Sequence, residues 1–523
     1  MNKKTLFCIL LAMIFIFASA VSAQKDGGTL TVAIRETGFD TMDPHASNHT
    51  QASYIFKQIY DKLAYLGEDG VTVYPGLATA WEFNEDYSVW TLTLREGVTF
   101  HDGSVFNAEV LKYNFDRIQD PETKAIRSKN FMSGYVKTEV LDEYKVAVYF
   151  DKPKPLFTNV MTADWVSIIS KEAGEKWGTE FFEHPVGSGP FKFVSQISGS
   201  EIVLEKNPDY NWAPDVFYHK GQAYIDKLIV LPIVEDETRL GMLETGEAQL
   251  IDQVPAVRID TLKDMGFEIF PLPRYGIPGM VNLSVTAWPT DDINVRRAMN
   301  YGFSRDDLEY AVTKGVFPHA WNVLSRGSKF YDENCELYSY DPEKAVALLE
   351  ESGWTEINSD GYRVKDGKVL SIKYYTYADN RAEQTAEIFQ ANMKDIGIEV
   401  KVEVVPQSVL YTIADEGSDV NAAFIGAGAS DPAEPLRAFY HSTGSHYSRF
   451  FDPRVDELIE AGESSPDPEV RGAAYSELQC LLMENAVSVP ASMPVMIWAA
   501  TTDIDGFHAD LEPYPYFFDV YFK

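Results

Sequence analysis

His45 and His49 stand four residues apart, a spacing that brings two imidazoles to one face of a helical turn, where they could share a metal ion. Their neighbours Asp43-Pro44 and Asn48 read as loop, and no Cys or Glu stands close by to complete a ligand set. His441 and His446 are placed no better. Nucleophile and phosphate motifs are missing: the sequence contains no GxSxG, HExxH, CxxC or GxxxxGK[ST]. Gly426-Ala427-Gly428 follows the apolar run Ala422–Ile425 as a dinucleotide loop would, but the third glycine position is Asp431, whose charge would repel a pyrophosphate. Gly187-Ser188-Gly189-Pro190 leads into the strand-like Phe191-Lys192-Phe193, not into the helix N-terminus that a phosphate cradle needs, so it reads as a tight crossing between domains. Carboxylates abound without forming a recognisable acid–base pair. By elimination these residues favour a binding protein over a hydrolase.

The chain that positions them has 523 residues, enough for about three domains. With 45% hydrophobic and 24% charged residues it is globular in composition. A net charge of −34 disfavours nucleic acid and anionic membrane surfaces as partners. Lys3 and Lys4, the apolar run Leu6 to Ala20 and the small residues of Val21-Ser22-Ala23 have the form of a signal peptide, residues 1–23, cleaved after Ala23. An uncleaved anchor is the alternative. Cys8 lies inside the apolar run, a poor place for a lipoprotein cysteine. Cys335 and Cys480 match no metal spacing and could pair in an oxidising compartment, which spacing alone does not decide.

Strands and helices are mixed throughout, without a short repeat. The patterns predict strands at Thr29–Ile34, around Trp90–Leu94, Val146–Phe150 and Ile202–Glu205, and a strand with Ile398, Val400, Val402 and Val404 on one face. They predict helices over Ser53–Leu63, from the cap Asn107 to about Ile118, after Ser304, after Asp341-Pro342 as far as Gly353, and over Ala382–Asp395. Such alternation indicates an α/β or α+β architecture of closely docked domains.

Residues 60–118 resemble the signature region of the peptide/nickel family (family 5) of periplasmic solute-binding proteins of ABC importers. The likeness continues, in order, through TMDPH, VGSGPFKFVSQISGSEIVLEKNPDYNW, VRRAMNYGFSRDDL, DPEKAVALLEESGW and AEIFQANMKDIGIEVKVE. It covers essentially the whole mature chain. The resemblance implies an α/β, two-lobed, type II-like periplasmic-binding-protein fold with an extra inserted domain and a ligand cleft between the lobes. It implies domain I over 24–65, 186–280 and 499–523, an inserted domain II over 66–185, and domain III over 281–498. It further implies a monomer without cofactor or catalytic residues, located in the periplasm, that hands a small peptide-like solute to an ABC permease and its ATPase. A metal chelate of nickel type, an opine or an oligosaccharide are alternative solutes. A secreted metal-dependent enzyme using His45 and His49, or a receptor, are alternatives of another class.

Expected ligand-binding residues follow the family pattern: His45, Asn48 and His49 after TMDPH; Asp164 and Trp165 in domain II; Trp321 and Asn322 in a domain III loop; Gly426, Gly428 and Asp431 after a domain III strand; and Arg381. Trp165 and Trp321 read equally well as packing. Dipeptide binders hold the ammonium with an Asp that would fall here on Gly428, and the carboxylate with an Arg that would fall near Thr376. Asp431 and Arg381 are the nearest substitutes in sequence. Asp431 reads equally well as a turn or cap before Pro432.

Overall fold

The computed structural model describes residues 25–67, 70, 72–416, 422–429, 431–445, 447–510 and 514–523. The leader, its cleavage site and His446 lie outside the described residues. The strand Thr29–Ile34 buries Leu30, Val32, Ala33 and Ile34 completely, as a strand in the middle of a covered sheet must. It lies between Lys227–Pro232 and Leu250–Ile251, parallel to both, in a seven-stranded sheet. That sheet runs Glu268–Pro273, Val495–Ala500, Leu250–Ile251, Thr29–Ile34, Lys227–Pro232, Glu201–Lys206 and Phe191–Ile197. A five-stranded sheet runs Glu399–Val405, Ser371–Tyr377, Ala422–Gly428, Gly276–Leu283 and Ser488–Ser492. Helix Asn380–Asp395 covers it, with Phe389 and Met393 packed in one core with Ile372 and Tyr374. A separate antiparallel sheet of Ala78–Phe83, Val89–Leu94, Lys145–Phe150 and Tyr135–Asp142 is covered by helix Ala108–Gln119.

Two strands cross the expected domain limits. Gly276–Leu283 spans 280/281 and belongs wholly to the five-stranded sheet, while Val495–Ala500 spans 498/499 and belongs to the seven-stranded one. The chain therefore passes between the two sheets at Arg274–Tyr275 and at Met493–Pro494. These crossings touch: the Arg274 amide donates to the Pro494 carbonyl at 2.8 Å. Elsewhere the lobes meet through Arg35 and Asp379, 3.1 Å apart, and through Leu156, which packs against the core around Tyr440 and Leu478.

Local signals placed most elements. Asn107 accepts from the Val110 amide at 3.1 Å, Ser304 from Asp307 at 3.1 Å and Asp341 from Lys344 at 2.9 Å, each as a helix cap. Two expectations need correction. The helix from Ser53 ends at Ile59, not Leu63, because the Ile59, Lys62 and Leu63 carbonyls accept from Gly189, Leu77 and Gly76 instead of from their own chain's next turn. Val400 is buried as expected, but Val404 is 46% exposed, since Glu399–Val405 is the edge strand of its sheet. Gly187 and Gly189 lie so close to the Ile59 carbonyl that any Cβ would collide with it, the tight crossing the sequence suggested. Cys335 and Cys480 are joined in a disulfide that pins a 3₁₀ turn to helix Pro468–Glu484.

Candidate functional site

The first lobe is rich in buried charge. His45 is fully buried, and its ring is used up: Nε2 donates to the Ser167 carbonyl at 3.0 Å and Nδ1 accepts from Arg117 at 2.9 Å. Burial, with the Arg117 charge adding to it, pulls the imidazole down to about 4, so it is neutral at pH 7. Arg117 in turn donates to both Asp43 oxygens. His49 stays exposed, and no lone pair remains on His45 to share a metal with it. Asp164 is buried against Lys62, 3.0 Å away. Burial alone would raise this carboxyl, but the Lys62 and Lys57 charges outweigh it and hold it low. Lys62 also donates to the Tyr516 hydroxyl at 2.9 Å, and Lys57 reaches Asp510 at 2.8 Å. Asp61 accepts from Trp212, Ser188, Tyr65 and Tyr210 with no cation at hydrogen-bond distance, and burial raises its carboxyl despite the four donors.

The remaining expected residues divide in the same way. Trp165 is buried under the Arg127 guanidinium, 3.4 Å above its ring, with Phe131 stacked at 6.1 Å. Asn322 is wholly buried and donates to the Asp332 carbonyl and to Gln479. Asp431 is paired with Arg471 at 2.6 Å and accepts from the Ala433 amide, so its charge is neutralised and it serves as a turn before Pro432. Burial raises this carboxyl and Arg471 more than reverses that. His45, Asp164, Trp165, Asn322 and Asp431 are thus engaged by partners within the fold, while Asp164 Oδ2, Trp165 Nε1 and Asp431 Oδ2 stay buried without a hydrogen-bond partner among the described residues. Thr376, nearest to the expected arginine position, is buried in its strand. Asn48 is exposed, accepts from the Arg127 amide at 3.3 Å, and lines a cavity of about 890 Å³ that lies under helix Ala108–Gln119 and away from the second lobe. Trp321 is half-buried below Arg305, whose guanidinium sits 4.6 Å from its ring.

The crossing between lobes holds a different set. Gly428 ends its strand opposite Gly276, and a Cβ there would lie 2.7 Å from Arg274 Cγ and 2.8 Å from Cδ. Glycine at 428 is therefore what makes room for the Arg274 side chain. Gly426 likewise has no space for a Cβ, which would stand 2.5 Å from the Pro278 carbonyl oxygen. The Arg274 charge acts on the Tyr377 and Tyr411 hydroxyls, opposing the rise that burial gives them. Burial raises the Tyr377 hydroxyl, with Arg381 and then Arg274 acting against it. Arg381 is half-buried and rests over the Phe317 ring at 5.0 Å. Asp379, two residues earlier, caps its helix through the Arg381 and Ala382 amides and is engaged by Arg35. Among the described residues no side-chain hydrogen bond or ion pair is made by Arg274 or Arg381. Arg274, Tyr377 and Tyr411 escaped sequence reasoning. Arg274-Tyr275-Gly276 offers only a glycine after a charged residue, and the run Tyr374-Tyr375-Thr376-Tyr377 does not say which ring faces outward.

Two sheet-centred lobes joined by two touching crossings make the framework of a two-lobed fold. The family described as bacterial extracellular solute-binding proteins, family 5, matches residues 72–447, and the chain belongs to it. The glutathione-binding protein GsiB of Salmonella typhi is 26% identical over 483 residues, 90% of each chain. Among solved structures, DppA of Helicobacter pylori in complex with the peptide STSA has a TM-score of 0.77 at 24% identity, covering 95% of this chain and 98% of its own. NikA of Brucella suis in complex with Fe(III)-EDTA has a TM-score of 0.84 at 23% identity, covering 95% of this chain and all of its own. The α/β, two-lobed fold with an extra inserted domain is shared with these proteins.

Proposed function

We propose that this solute-binding protein captures a peptide-class solute in the cleft between its lobes and delivers it, as a monomer in the periplasm, to an ABC permease with its ATPase. The observation that carries the reading lies where the lobes meet: half-buried Arg381 and Arg274 stand at the helix start and the crossing without a side-chain hydrogen bond or ion pair among the described residues, whereas Lys57, Lys62 and Arg117 of the first lobe are each matched by a carboxylate. A solute carboxylate supplies the missing partner. The glutathione-binding relative and the peptide-bound DppA structure support a peptide-class solute. His49, Trp321, Gly426 and Gly428 stay in the candidate site alongside Arg381, joined by Arg274, Tyr377 and Tyr411, while Asn48 lines the separate first-lobe cavity. Domains are proposed with the lobe limits moved to 274–275 and 493–494, where the sheets change, and with the inserted domain at 66–185. A leader cleaved after Ala23 fits the location.

A closing cleft commits its ligand by hinge motion, and the differential affinity of the solute for the closed state drives it. Mass spectrometry of the solute released on denaturing the purified protein tests the class directly. A peptide is expected; a metal chelate, opine or oligosaccharide in its place overturns the peptide reading. Small-angle scattering is expected to show compaction on saturation, and an unchanged radius of gyration would rule out hinge closure.

A further inference from the structure

We propose that the cleft is built for a solute with two anionic groups, one met by Arg381 and the second by Arg274 in the space that Gly428 leaves open. The proposal rests on the peptide-class reading and narrows it to peptides that carry an acidic group besides their terminal carboxylate. The charges of Arg381 and Arg274 both act on one hydroxyl, that of Tyr377. Asp379, two residues before Arg381, is taken by Arg35 and by two amides of its own helix. Asp431, after the strand that ends at Gly428, is paired with Arg471.

Gly428 explains how Arg274 gets there. Any side chain at 428 would occupy the volume of the Arg274 Cγ and Cδ atoms, so the guanidinium packs directly on backbone. Arg274 also sits in one of the two crossings, with its amide bonded to Pro494 in the other. A ligand group bound to its side chain is thereby anchored at the point about which the lobes turn. When the lobes close, water leaves, and a guanidinium without a counter-charge is strongly disfavoured. A solute with one carboxylate satisfies one arginine and strands the other. A solute with two satisfies both, and a solute that brings an ammonium to Gly428 meets a like charge there.

The test presents the mature protein with an equimolar pool of synthetic tripeptides of Ala in which one position is Glu, Gln or Lys, and reads the bound fraction by native mass spectrometry. Glu peptides are expected to be enriched at least tenfold over their Gln counterparts, with Lys peptides weakest. Arg274→Gln, checked for its fold by thermal melting, is expected to equalise Glu and Gln peptides while still binding both. Arg274→Lys keeps the charge and is expected to keep the preference, and it serves should the Gln variant not fold. Equal capture of Glu and Gln peptides by the unaltered protein, or a preference that survives Arg274→Gln, overturns this inference and leaves the peptide reading standing. Capture of no peptide at all overturns the peptide reading, and this inference with it.

Discussion

Asp164 with Lys62, and His45 with Arg117 and Asp43, are polar groups of the first lobe that meet one another at hydrogen-bond distance, whereas Arg274 and Arg381 at the lobe crossing meet no such partner among the described residues. Both sets are charged and both are wholly or partly buried. The difference lies in who satisfies them. In the first lobe, residues up to 454 positions away in sequence supply the counter-charge or hydrogen bond, so desolvation is compensated within the fold. At the crossing the compensation is left to something that arrives. A charged residue in this protein therefore reads as structural or functional by its partners, and its residue type does not distinguish the two.

That comparison can be broken most decisively at Asp164. Replacing it with Ala leaves Lys62 buried beside a tyrosine hydroxyl alone, and a loss of about 3–5 kcal/mol in unfolding free energy is expected from denaturant titration. Solute affinity of the fraction that remains folded should not change. A variant of normal stability but weakened affinity would move Asp164 from the structural set to the binding one.

Acidification probes His45 next. Its folded value of about 4 lies below the ordinary 6.5, so the unfolded chain takes up a proton first as the pH falls. Stability should therefore be full above pH 6.5 and decline by about 3 kcal/mol towards pH 4. His45→Gln is expected to flatten this slope in part, leaving the share of His101, which burial also pulls down to about 4. An unchanged slope in the variant would show that His45 is not held neutral.

Asp431 sharpens the contrast, because sequence reasoning offered it to the ligand and the structure gives it to Arg471. Asp431→Ala is expected to cost about 2 kcal/mol of stability, the range for a hydrogen bond between charged groups. Calorimetric affinity for the solute is expected to stay within about twofold. A tenfold loss of affinity in a protein of normal stability would restore the binding role.

The smallest expected effect in energy falls at Arg381. Arg381→Met keeps the apolar contact with Phe317 and removes the charge. Affinity is expected to fall about tenfold, or about 1.4 kcal/mol. Unfolding free energy should shift by less than about 0.5 kcal/mol, because among the described residues the guanidinium has no hydrogen bond or ion pair to lose. The reverse pattern, lower stability with intact affinity, would place Arg381 with Asp164.

The sequence by itself determined whatever depends on near neighbours. Alternating apolar residues set Thr29–Ile34 and Val89–Leu94, caps such as Asn107 and Asp341 set helix starts, and the run of strings from TMDPH to AEIFQANMKDIGIEVKVE pointed to the family. Arg381 stands at a helix start and Gly428 at a strand end, both of which are local features. Only the tertiary structure decided which polar residues are spent and which are free. His45 meets Ser167 across 122 positions, Asp431 meets Arg471 across 40, and Cys335 meets Cys480 across 145. Arg274 gains its place from Gly428, a residue of another strand, and from a crossing that exists only once two sheets have formed. The physical reason is that a side chain's charge is written in the sequence, while the cost of burying it depends on what the folded chain brings within about 4 Å of it.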